Sequence, residues 1–377
     1  SQYRNQPGTG GARFYRAAAS QFLTLHTPIK PIPMPAPNST WMHTEAAEAA
    51  TAVARQFAAN AAAIDALVER LRAQPPRFIV TCARGSSDHA ATYGKYLFET
   101  TLGLVTASAS PSVGSVYAVQ PQMQGALFVA ISQSGKSPDL LRNAEIAKAG
   151  GATVVALVNV MDSPLAKLAD TVLPLHAGPE NSVAATKSYL CSLAALLQLT
   201  ARWSGDTKLL AAVDALPDAM RAAWAQDWSE LVSGLRLARQ MFVLGRGLGL
   251  GAAQEAALKF KETCGLHAEA FSSAEVKHGP MAIVGPDFPV LAFAQDDDTG
   301  DSTAAVAAEF RKRGAPVWLA SSGEAGPGIL PLPVSPHPAL TPILTVQAFY
   351  AVANALSLAR GFDPDVPPHL NKVTETV

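Results

Sequence analysis

The chain has 377 residues, 49% of them hydrophobic and 16% charged, which allows two buried α/β cores and excludes a disordered chain. Lys and Arg total 29 against 30 Asp and Glu, so there is no global basic field for a nucleic acid or an anionic membrane, and any anion must be held by local geometry. Three cysteines, Cys82, Cys191 and Cys264, are far apart and show no metal-ligand spacing; the expectation is a reducing, cytoplasmic setting with no metal and no cofactor.

Residues 1–41 contain no Asp or Glu and end in Pro28, Pro31, Pro33, Pro35 and Pro37. They read as a Pro-rich extension before Met42 rather than a transit peptide, because they lack an amphipathic period. The alanine-rich stretch 44–71 predicts a helix within an N-terminal segment 42–76. RFIVTCARGSSDHAATYGKYLFE then reads as a buried strand, a Gly/Ser turn and a helix, and ALFVAISQSGKSPDLLRNAEIAKAGGATVVALVN repeats that plan. These define a first unit, 77–205. A helical connector, 206–234, carries Trp224 and Trp228.

The second unit, 235–360, replays the same order. Gly85 and Gly247 are 162 residues apart (247 less 85), as are Ser132 and Ala294 (294 less 132), while Gly151 and Gly314 differ by 163 (314 less 151). Three landmarks at one spacing argue for an internal duplication. Strands alternating with helices predict an α/β fold, each unit a parallel sheet with helices on both faces in three flavodoxin-like αβα layers. Ligands of such sheets bind outside the carboxyl ends of the strands. The apolar run from Ile343 to Ala359 is broken by Gln347 and Asn354, as expected of a buried helix rather than a membrane span. Residues 361–377 form a tail.

In ISQSGKSPDLL, the hydroxyls of Ser132, Ser134 and Ser137, the amide of Gln133 and a turn glycine precede a helix start. Pro138 suits the first helical turn with Ser137 as its cap, and such a start is a ready anion site. Ser86 and Ser87 occupy the equivalent turn after the preceding strand, so both turns can converge on one phosphate. Serine and glycine are also ordinary turn formers, so neither turn is decisive alone. Gly135-Lys136-Ser137 fails as a nucleotide P-loop because position 130 is Ala, and Gly245 and Gly247 fail as a dinucleotide fingerprint because position 250 is Leu. In the second unit Ala294-Gln295-Asp296, followed by Asp297 and Asp298, replaces Ser-Gln-Ser. Carboxylates repel phosphate, leaving one phosphate site per chain.

Glu255, Lys259 and Glu262 are four and three residues apart, so all three can share one helical face. Moving a proton between sugar carbons needs a carboxylate near the acidified carbon and a donor–acceptor for the ring oxygen. A solvated charged stripe has the same spacing. His278 precedes Gly279-Pro280, a rigid turn able to aim its ring.

Several motifs in order resemble the sugar isomerase (SIS) domain family: ARGSSDHA (83–90), SQSGKSPD (132–139), AGPENSVAATK (177–187), LGRG (244–247), EAALKFKE (255–262), LHAEAFSSAEVKHGP (266–280) and LNKVTETV (370–377). Similarity is to the isomerase half of glucosamine-6-phosphate synthase and to type II glucosamine-6-phosphate deaminases, from about residue 45 onward. The resemblance implies two tandem SIS units. It implies that Ser87, Ser132, Gln133, Ser134 and Ser137, with Ser86 beside them, hold a sugar phosphate. Glu262 is implied as the base, and His278 as the ring-opening histidine, contributed by the neighbouring subunit of a homodimer with a shared site. Lys372 matches the synthase's Schiff-base lysine; Val183 and Asn371 match backbone contacts to the sugar, and Lys259 and Glu255 lie in the active-site helix, with Lys259 expected among the substrate-binding residues. Two departures concern the sugar: Ala185 replaces a serine and Arg84 a cysteine of the synthase. No glutaminase domain precedes these motifs here, so glutamine-dependent synthesis is not expected. The resulting expectation is a deaminase/isomerase converting glucosamine 6-phosphate to fructose 6-phosphate and ammonia, with no nucleic-acid or membrane partner. The alternatives are a galactosamine-6-phosphate enzyme, a deglycase of fructosamine-6-phosphate adducts, or a non-catalytic sugar-phosphate sensor.

Overall fold

The computed structural model of the chain describes residues 36–323 and 326–372. Of the Pro-rich segment 1–41, all but residues 36–41 lies outside this range, as do the last five residues of the tail. The helix predicted within 42–76 is two successive helices, Trp41–Ala47 and Ala49–Ala73, joined through Glu48, whose backbone remains helical.

Two five-stranded sheets follow. The first contains β1 (Phe78–Cys82), β2 (Thr106–Ser108), β3 (Ala126–Ser132), β4 (Thr153–Val158) and β5 (Thr171–Pro174), in the order β2-β1-β3-β4-β5. The second contains β6 (Gln240–Gly245), β7 (His267–Ser272), β8 (Val290–Phe293), β9 (Val317–Ser322) and β10 (Ile329–Leu332), in the order β10-β9-β8-β6-β7. Every pairing in both is parallel. Numbered from its own first strand, each sheet has the order 2-1-3-4-5, which is the flavodoxin-like winding. The expected three-layer tandem architecture is therefore present, and the duplication extends to strand order. In each sheet the winding reverses between the first and third strands, where the connections diverge and leave a crevice.

Burial follows from the residues in these strands. All seven residues of β3, Ala126–Ser132, are buried, as a parallel strand covered on both faces requires. The helix Lys187–Ser204 is almost wholly buried, packed chiefly against the helices Ala49–Ala73 and Ser86–Leu102. The apolar helix Thr341–Ala359 is likewise a core element. Its two polar interruptions bind the N-terminal segment: Gln347 Nε2 donates to the Ala46 carbonyl at 2.9 Å, and Asn354 Nδ2 to that of Pro37 at 2.7 Å. Phe260 and Phe349 meet edge to face with centroids 5.1 Å apart, joining this helix to the helix Leu250–Cys264.

The two units touch closely at Gly251. A Cβ on Gly251 would lie 2.5 Å from the His89 carbonyl oxygen, so only glycine lets the helix Leu250–Cys264 rest against the helix Ser86–Leu102.

Candidate active site

The crevice beyond β1 and β3 opens into a cleft of about 320 Å³ lined by both β–α turns of the first unit, by Glu262 and by the tail. Its first turn is Arg84-Gly85-Ser86-Ser87, where Gly85 has φ +55° and starts the helix Ser86–Leu102. The second runs from Ser132 to Ser137. There the Ser132 hydroxyl accepts from the Gly135 amide at 3.0 Å and that of Ser134 from the Lys136 amide at 3.3 Å. Gly135 has φ +64°, and a Cβ there would lie 2.3 Å from Ser163 Oγ, so a side chain would displace the turn. Ser137 stands at the N-cap position of the helix Pro138–Ala149, with Pro138 inside it, but its hydroxyl makes no cap hydrogen bond. The expected capping bond is therefore replaced by a hydroxyl free to face the cleft.

Opposite the hydroxyls stands the charged helix of the second unit. Glu255 and Lys259 are fully buried and Glu262 is about one-fifth exposed, so the face is not a solvated stripe. Lys259 Nζ lies 2.5 Å from Glu262 Oε2, 3.3 Å from Glu255 Oε1 and 3.0 Å from Ser86 Oγ. Glu255 also accepts from the Ser86 hydroxyl at 3.2 Å and from Tyr350 at 2.9 Å, and meets His89 Nδ1 at 3.2 Å. Burial pushes the Glu255 carboxyl up, but the Lys259 ammonium and His89 outweigh it and hold it below the usual range. Burial likewise pushes Lys259 down, and the two carboxylates outweigh it and hold its ammonium well above the ordinary lysine value. This corrects one expectation. Lys259 does not line the cleft; it is buried behind Glu262 and fixes that carboxylate, because three acceptors saturate its three donors. Ser86 lines the cleft but is engaged in the same network, whereas Ser87 presents a hydroxyl without a hydrogen bond among the described residues.

The third wall is the segment 180–189 together with the tail. Glu180 is buried and accepts from the Thr186 amide at 3.1 Å, from the Ser188 amide at 3.0 Å and from the Ser188 hydroxyl at 2.8 Å, capping the helix Lys187–Ser204 from outside its own first turn. Lys372 Nζ donates to Glu180 Oε2 at 3.1 Å and to the Ser182 carbonyl at 2.7 Å, which places the tail over the cleft beside Leu370 and Asn371. Burial raises the Glu180 carboxyl, but Lys372 and the Ser188 and Thr186 donors outweigh it and hold it below the usual range. Val183 lines the cleft, and its amide donates to the Asp365 carbonyl at 3.1 Å.

Of the residues singled out in the sequence, the cleft brings together Ser86, Ser87, Ser132, Gln133, Ser134, Ser137, Val183, Glu262, Asn371 and Lys372. His278 is not among its lining residues; it lies exposed at the end of the 3₁₀ turn Glu275–His278. Glu180, His89 and Tyr350 were missed. For Glu180 a signal existed, an acid a few residues before a helix start; for the other two nothing short of the fold placed them at Glu255. The second unit's acids are used locally: Asp296 accepts from Ser322 at 2.5 Å and Thr341 at 3.0 Å, and Asp297 from Thr299 at 2.5 Å. Burial pushes the thiols of Cys82, Cys191 and Cys264 up to about 12, so all three stay protonated at neutral pH. The arrangement offers hydroxyls and a helix start for an anion at one end and a carboxylate braced by an ammonium at the other. That geometry suits proton transfer on a phosphorylated substrate.

Residues 74–202 and 234–325 match the SIS domain family. The glutamine–fructose-6-phosphate aminotransferase (isomerizing) of Aeropyrum pernix is 36% identical over 76% of this chain and 49% of its own length, so the chain spans about half the length of the curated relatives it matches. Among solved structures, a candidate phosphosugar isomerase of Silicibacter pomeroyi superposes with a TM-score of 0.82 at 42% identity, covering 86% of this chain and all of that one. The C-terminal domain of glucosamine-fructose-6-phosphate aminotransferase from Francisella tularensis superposes with a TM-score of 0.79 at 25% identity, over 87% of this chain and 98% of that one. In sequence, strand order and duplicated plan, the chain belongs to the SIS domain family.

Proposed function

We propose that the chain is a phosphosugar deaminase/isomerase that converts glucosamine 6-phosphate and water to fructose 6-phosphate and ammonia. Family membership and relatives named as phosphosugar isomerases and aminotransferases support the coarser part, isomerase-type chemistry on a sugar phosphate. The deaminase assignment is our own reading.

In this reading Ser87, Ser132, Gln133, Ser134 and Ser137 hold the phosphate, with Val183 and Asn371 along the sugar. His278 of a neighbouring subunit opens the ring. Glu262 then takes the proton from carbon 2 and returns it to carbon 1, and the imine left at carbon 2 takes up water and releases ammonia. The phosphate binding energy orients carbon 2 against the carboxylate. Lys372, tethered at the cleft edge by Glu180, acts on the open-chain carbonyl end. The observation that carries the reading is that Glu262 faces the hydroxyl cradle across one cleft with its carboxylate fixed 2.5 Å from Lys259.

Ammonia and ketose phosphate release from glucosamine 6-phosphate, galactosamine 6-phosphate and fructosamine 6-phosphate adducts tests it. Release from the first is expected, falling about 10²- to 10⁴-fold in Glu262→Gln. Unchanged turnover in that variant would remove the proposed base, and turnover of a different substrate alone would reassign the sugar.

A further inference from the structure

Arg84 occupies the first residue of the β1 turn and lines the cleft beside Gly85, Ser86 and Ser87. Its Nε and Nη2 lie 2.7 and 2.5 Å from a single oxygen, Asp139 Oδ2. The Asp139 side chain is fully buried in the first turn of the helix Pro138–Ala149, whereas that of Arg84 is 49% exposed. One edge of the guanidinium is therefore anchored, and Nη1 makes no hydrogen bond among the described residues.

Charge gives this anchoring a direction. The cradle holds its anion at the start of the helix Pro138–Ala149, yet that first turn contains a carboxylate, which by itself would oppose a dianion. Pairing with Arg84 offsets the carboxylate and leaves spare donors of the fork on the cleft side. The other charged groups lining the cleft are Glu262 and Lys372, and Lys372 is committed to Glu180 and the Ser182 carbonyl on the opposite wall. Arg84 is thus the one cation lining the serine end of the cleft, the exposed Lys136 of the same turn lying outside that lining. A planar fork can hold a buried carboxylate with one edge and a phosphate oxygen with another, which a lysine ammonium on its flexible stem does less well.

We propose that Arg84 contacts the phosphoester directly through Nη1, with Asp139 as its positioning residue, and thereby selects sugar phosphates over neutral sugars. The inference rests on reading the cleft as a phosphosugar site.

Calorimetric titration of the intact chain with fructose 6-phosphate, and separately with fructose, tests it in the wild type, in Arg84→Ala and in the double variant Arg84→Ala/Asp139→Asn. The double variant removes the buried acid that Arg84→Ala strands, so misfolding of the single variant does not obscure the answer. Affinity for fructose 6-phosphate is expected to fall about 10- to 100-fold in both variants, with kcat/KM falling at least as far, while binding of fructose stays at its wild-type level. Arg84→Ala binding like wild type, or wild-type affinity regained in the double variant, would overturn the contact and reduce Arg84 to a shield for Asp139. Absence of wild-type binding to any sugar phosphate would instead sink the phosphosugar reading itself.

Discussion

Glu262 reaches the cleft on a carboxylate already held by a buried ammonium, and Lys259 in turn depends on Glu255. Removing Lys259 leaves a fully buried carboxylate without its charge partner. Lys259→Met is expected to destabilise the fold by about 3–5 kcal/mol, measured by urea unfolding, and to lower turnover because Glu262 loses its brace. The same groups set a pH window. Glu255 and Glu180 are held below the usual carboxylate range, so the stability they contribute is present above that range and lost as pH falls through their lowered values. Lys259 is held above the ordinary lysine value, so its contribution is complete below that value and lost as pH rises through the raised one. Unfolding free energy should form a plateau between these limits, and Glu255→Gln should flatten its acid edge; an acid limb unchanged in that variant would remove Glu255 from the account. What was legible at this scale was local. Ser132 to Ser137 announce a turn within six residues, but Arg84 and Asp139 are 55 positions apart, His89 and Glu255 are 166, and Lys372 and Glu180 are 192. No short-range pattern encodes such pairs.

Elements fix how near the two halves of the site come. The contact of Gly251 with the His89 carbonyl lets the helix bearing Glu262 lie on the helix that starts at Ser86. Gly251→Val is expected to cost about 1–3 kcal/mol by overpacking and to reduce kcat while fructose 6-phosphate still binds. Equal losses of binding and turnover in a folded variant would show that the contact does not set the spacing. Strands and helices of both units were readable because β-branched runs alternate with helical periods and the pattern occurs twice. The near-continuous pair of helices before the first sheet was read as one, since nothing in an alanine-rich stretch marks the offset at Glu48.

At the scale of the whole molecule the tail closes the structure. Asp365 Oδ2 and Oδ1 accept from the Trp41 and Met42 amides, each at 2.7 Å, capping the first helix, while its carbonyl accepts from Val183 in the cleft wall. Asp365→Ala should lower stability by about 1 kcal/mol, read as a lower unfolding midpoint, and should raise KM because Lys372 follows on the same strand of chain. An unaltered KM would separate the clamp from the site. The tail's family motif was recognisable in the sequence, but its role as a tie between the first helix and the cleft wall was not, because that depends on Trp41 and Asp365, 324 positions apart, meeting in space.

The division of labour between the two sheets has a kinetic corollary. In the proposed reading anion grip belongs to one duplicated half and the acid–base group to the other, so a small slip of one half past the other would lengthen the reach from anchored ester to carboxylate without loosening the ester. Substitutions deep in the packing between halves, far from any reacting atom, would then register as slower catalysis at undiminished affinity, making turnover a ruler for how the duplicated halves are seated.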